Sequence, residues 1–111
     1  MMRAVKTLDG FTALRCMFVG LTDGNASRCA AALTPIQTVR IDGVKEACAR
    51  MSSVLPLIVV VAKRFGEPLL GELHDVANSC AAEVIEIDDE PPGDLDKQIT
   101  AALRRADRRR T

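Results

Sequence analysis

Two hydrophobic periods alternate along the chain. Residues 14–19 (LRCMFV) and 57–62 (LIVVVA) are nearly unbroken apolar runs, the pattern of strands covered by helices on both faces. Residues 36–41 (IQTVRI) and 83–87 (EVIEI) mix polar with apolar positions and read as strands at the sheet edges. Between the strands the period lengthens to 3.6 residues. Ala26, Cys29, Ala30 and Leu33 make one helical stripe, and Val44, Ala47, Cys48 and Met51 repeat its spacing. Leu69, Leu73, Val76 and Cys80 form a third, and Leu95, Ile99, Ala102 and Leu103 a fourth. Asp42 and Asp94 stand where they would cap the second and fourth helices. Pro91, Pro92 and Gly93 call for a loop before the last helix.

The resulting order is β-α-β-α-β-α-β-α, which demands crossover connections and a parallel sheet. Central first and third strands with outer second and fourth strands give the spatial order 2-1-3-4. The fold class is therefore α/β, a flavodoxin-like three-layer sandwich one strand short of five, in a single domain over 1–111 with an ordered core of about 12–105. Val59 and Val61, on the third strand, are expected to be buried. With a fifth strand missing, Ile85 or Ile87 on the fourth is expected to meet water unless a second chain covers it.

The 111 residues are 48% hydrophobic, enough for a packed core rather than a disordered chain. The 15 basic and 15 acidic side chains cancel, so no overall field steers the protein to nucleic acid. Three Phe, no Trp and no Tyr weaken any reading based on base-stacking platforms or aromatic sugar clamps. The apolar run 55–62 is too short to span a bilayer, and 1–11 (MMRAVKTLDGF) lacks the core of a secretory signal. A cytoplasmic protein away from membranes is the expectation. Cys16, Cys29, Cys48 and Cys80 include no C-x-x-C pair and stand beside one histidine, His74. They read as small core residues in a reducing compartment, not as a zinc site.

In such a sheet, ligands sit beyond the carboxyl ends of the strands. The segments expected there are 20–25 (GLTDGN), Asp42-Gly43, 63–66 (KRFG) and 88–90 (DDE). Asp23, Asn25, Asp42 and Lys63 are the candidate crevice residues. Neither G-x-G-x-x-G nor G-x-x-x-x-G-K-[ST] occurs, and Asp23 would repel phosphate. His74 lies mid-helix without a paired nucleophile. No catalytic residue, metal ligand or cofactor is expected.

TVRIDGVKEACARM followed by PLIVVVA resembles the second strand, D-G-x-x-A helix start and third strand of the receiver domain of bacterial response regulators. The resemblance implies a phosphoacceptor carboxylate at position 62 and a magnesium-binding acidic pair after the first strand. Here those positions hold Ala62 and Gly20-Leu21, with only Asp23 nearby. In a second register LPLIVVVA is similar to the family's fourth strand, with Val61 at the switch-threonine position, and LDKQITAALRRA to its final helix. Either register lacks one βα unit and an intact phosphorylation site. The resemblance implies a degenerate, phosphorylation-independent receiver-like module.

From Phe65 to Asp96 there are ten acidic residues and no Lys or Arg, whereas Arg104, Arg105, Arg108, Arg109 and Arg110 crowd the end. This asymmetry suits a protein partner or a second copy and opposes a broad nucleic-acid footprint. The expectation is a non-catalytic signalling or scaffold domain that binds protein, as a homodimer or heterocomplex. Its candidate interface comprises Ile85, Ile87, Arg104, Arg105 and Arg108, with acidic and arginine-rich segments pairing across a two-fold axis. The alternative is a small-ligand or nucleotide-binding protein that uses the strand-end loops.

Overall fold

The computed structural model of the protein describes residues 14–90 and 93–110. Pro91 and Pro92 of the expected loop, and the first residues of the expected core, lie outside the described residues. Strands β1 (Arg15–Val19), β2 (Gln37–Ile41), β3 (Ile58–Ala62) and β4 (Glu83–Ile87) alternate with helices α1 (Asp23–Leu33), α2 (Val44–Val54), α3 (Leu69–Ser79) and α4 (Leu95–Arg110). A single turn of 3₁₀ helix, Lys63–Phe65, follows β3. All strand pairs are parallel, in the order β2-β1-β3-β4. The fold is the expected flavodoxin-like sandwich.

The period-2 geometry of a strand sends successive side chains to opposite faces, and the sheet separates two cores accordingly. Cys16, Phe18, Ile58, Val60, Ile85 and Ile87 pack under α1 and α4. Met17, Val19, Ile41, Val59 and Val61 pack under α2 and α3. Every residue of β3 is buried, Val59 and Val61 completely. Among the described residues no helix is long and apolar enough to cross a membrane.

Several expectations change. Ile85 and Ile87 are buried, not exposed at an edge, because α4 lies over the face of β4 that carries Glu83, Ile85 and Ile87. They belong to the chain's own core and present nothing to a partner. The acidic and arginine-rich segments likewise meet within one chain. Arg105 Nε donates to Glu83 Oε1 at 2.7 Å, and the Glu83 side chain is nearly buried. The last helix continues past residue 105, with Ala106 in its buried stripe. Cys16 and Cys29 are core residues as expected, but Cys48 and Cys80 are only half-buried. In α3 the buried positions are Leu70, Leu73 and Ala77, one residue out of phase with the expected stripe except at Leu73.

Capping also differs. The N-cap of α2 is Gly43, with no side-chain cap, so Asp42 is not a cap. Thr22 caps α1, accepting a hydrogen bond from the Asn25 backbone N–H at 3.2 Å. At the head of α4 the Asp94 carbonyl accepts from the Gln98 N–H, and its carboxylate accepts from Gln98 Nε2 at 3.0 Å.

Candidate functional site

The chain leaves β1 for β2 on one side and returns to β3 on the other, so the crevice of this topology opens between the loops after β1 and β3. Four loops converge there. The β1 loop turns at Gly20, where φ is +68°, and the Gly20 N–H donates to the Ile41 carbonyl at 2.8 Å. The Phe65 ring, on the turn after β3, rests directly on Gly20. A Cβ at position 20 would lie 2.5 Å from Phe65 Cζ. The Arg64 guanidinium sits 5.5 Å from the Phe65 ring centroid, donates to the Gly20 carbonyl, and donates to Asp89 Oδ1 at 2.8 Å. Arg64 and Phe65 thus close the mouth of the crevice.

The candidate residues are distributed around this plug. Asn25 is buried and donates through Nδ2 to the carbonyls of Asp88 and Asp89, at 3.4 and 3.1 Å. This ties the first turn of α1 to the loop after β4. Lys63 Nζ approaches Asp88 Oδ2 at 4.0 Å, both largely exposed. Asp23 pairs with Arg40 at 2.9 Å, and Arg40 also donates to the Leu21 carbonyl at 3.1 Å. Asp42 is exposed and takes no part in these contacts. Asp23, Asn25 and Lys63 therefore sit at the strand ends as expected, but each is engaged in holding loops together.

Arg40, Arg64, Phe65 and Asp89 are the side chains that sequence reasoning missed as individuals. KRFG and DDE were placed at the right end of the sheet. Only folding, however, brings residues 64 and 89 into contact. Beside the plug, Lys63, Glu86, Ile87, Asp88, Glu90 and Gln98 line a polar cavity of about 260 Å³. Glu86 is joined at 2.6 Å to His74 Nε2, a half-buried pair between β4 and α3. His74 is thus a hydrogen-bonded side chain bridging helix and strand.

The positions that the receiver resemblance picks out hold no carboxylate. Ala62 is a buried methyl, Leu21 is buried, and the Gly20 carbonyl is taken by Arg64. Three of the thiols offer little nucleophilicity. Burial pushes Cys16 and Cys29 up to about 11. Cys48 is raised by burial and then by the nearby Glu72 charge, so these groups stay protonated at neutral pH. Among the described residues no cluster of His, Cys, Asp and Glu is arranged to hold a metal ion. Compared with known proteins, the chain matches no family model, no curated protein and no solved structure.

Proposed function

We propose that this protein is a non-catalytic, phosphorylation-independent signalling or scaffold domain that acts by binding another protein, in the manner of a degenerate receiver. The observation that carries the reading is the closure of the strand-end crevice by Arg64 and Phe65 over Gly20. Phosphoryl transfer requires an acceptor and charge neutralisation around the transferring group. The corresponding acceptor position is the buried methyl of Ala62. A cytoplasmic setting accords with this reading, because the four cysteines are free thiols. The small-ligand alternative requires either that Arg64 release both the Gly20 carbonyl and Asp89 or that the ligand enter the polar cavity beside the plug, between Lys63, Asp88 and Gln98.

The test combines intact-mass measurement after incubation with acetyl phosphate and Mg²⁺ with thermal denaturation across a nucleotide panel. The expected result is an unchanged mass and an unmoved melting temperature. An acyl-phosphate adduct on any aspartate would overturn the phosphorylation-independent reading. A nucleotide that raises the melting temperature in proportion to its concentration would establish ligand binding instead.

A further inference from the structure

At the opposite end of the sheet, a cleft of about 350 Å³ opens between the strand starts and the last helix. Leu14, Ile36 and Leu57 come from the amino ends of β1, β2 and β3, and Leu103 comes from α4. All four are half-buried, and Ile36, Leu57 and Leu103 pack on the rim of the core under α1 and α4. Among the described residues these side chains leave the apolar lining of the cleft open. Arg104 and Asp107 border it, both exposed and three residues apart on α4.

Among the described residues their charges have no partner. Arg105 is taken by Glu83, and Arg108 has a partner as well. Among the described residues the side chains of Arg104 and Asp107 make no hydrogen bond or ion pair. An acid following a base along a helix is the less favourable order for a local pair, which accounts for their standing apart. A base and an acid on one exposed helix face, unpaired with each other, are complementary to themselves under a two-fold rotation. With two copies of α4 antiparallel, Arg104 of each comes opposite Asp107 of the other, the reciprocal pattern of an isologous interface.

We propose that a second copy of this chain occupies this cleft, forming a two-fold dimer through the amino end of the sheet. Leu103 and the strand-end side chains make its apolar centre, and two Arg104–Asp107 pairs set its register. The apolar contact supplies affinity, while the charge pairs select the orientation. The inference rests on the protein-binding reading and names the partner and the surface.

Sedimentation of the full chain from low to high micromolar concentration is the test, with circular dichroism checking that each exposed substitution leaves the fold intact. The natural chain is expected to dimerise with concentration. Arg104→Asp and Asp107→Arg, each placing like charges at both pairs, should each weaken the dimer by about tenfold or more. Two results are particular to reciprocal pairing. The double variant Arg104→Asp/Asp107→Arg regains dimerisation, and an equimolar mixture of the two single variants forms the heterodimer that neither makes alone. A chain that stays monomeric at every concentration overturns the proposal, since the cleft then serves some other occupant. It also falls if the double variant is no better than the singles and the mixture stays monomeric. Neither failure touches the phosphodonor and nucleotide results, so this proposal and the functional reading fail separately.

Discussion

Gly20 decides whether the strand-end crevice is open. Its positive φ disfavours any side chain, and the Phe65 ring occupies the space a Cβ would need. Gly20→Ala should therefore cost about 1–3 kcal/mol, combining backbone strain with displacement of Phe65, read as a lower urea midpoint. Arg64 is the contrasting case. Its pair with Asp89 is half-exposed on both sides, so Arg64→Ala should change stability by no more than about 1 kcal/mol. If both variants melt like the natural chain, Phe65 is not seated on Gly20 and the crevice is not plugged. The pairing of 64 with 89, and of 40 with 23, was not legible in the sequence. The charges lie far apart along the chain, and an exposed charge has many acceptable partners until the loops are placed. That Gly20 would be hemmed in by an aromatic side chain was equally hidden, because GLTDGN reads as an ordinary turn.

Among the elements, legibility followed how strongly burial constrains each one. LIVVVA is apolar at every position because β3 lies between β1 and β4 and under helices on both faces. α3 was located correctly but rotated: Leu73 is at its centre as expected, while Leu69, Val76 and Cys80 flank the core half-buried and Leu70 and Ala77 are the deeper positions. Its apolar residues form two overlapping stripes that share Leu73 and are centred about 60° apart around the axis. The position of the helix over β3 and β4, a tertiary fact, chooses between them. The start of α2 was found to within a residue, yet the capping group was misread, since the backbone at Gly43 enters the helix without help from Asp42. The strongest element-level prediction falls on Val59, fully buried in the core under α2 and α3. Val59→Asp would bury an unpaired charge at a cost of several kcal/mol, comparable to the whole stability of a small domain. Circular dichroism and urea denaturation should show a chain unfolded in buffer. A cooperative transition near the natural midpoint would contradict the placement of β3.

For the molecule as a whole, the absent fifth strand has a different consequence from the one its sequence suggests. A shortened sheet ought to expose apolar side chains on its last strand, but α4 is long enough to cover the inner face of β4 and to reach back with Arg105 to Glu83. Among the described residues, an open apolar cleft lies instead at the amino end of the sheet, around the half-buried Leu14, Ile36, Leu57 and Leu103. Ile85 is the residue that separates these two arrangements. Were it an interface residue on an open edge, Ile85→Lys would give a folded monomer. Instead Ile85 packs in the core with Leu95, Ile99 and Ala102. A lysine there must either carry its charge into that core or drag α4 off the sheet. Deleting the packing of a buried isoleucine alone costs about 2–5 kcal/mol, and the ammonium adds its desolvation. Ile85→Lys should therefore lose its cooperative transition even at low micromolar concentration, where Arg104→Asp keeps its own and loses only the second copy. Denaturation and sedimentation run on both variants distinguish a fold failure from an assembly failure. A folded, monomeric Ile85→Lys chain would return the interface to β4.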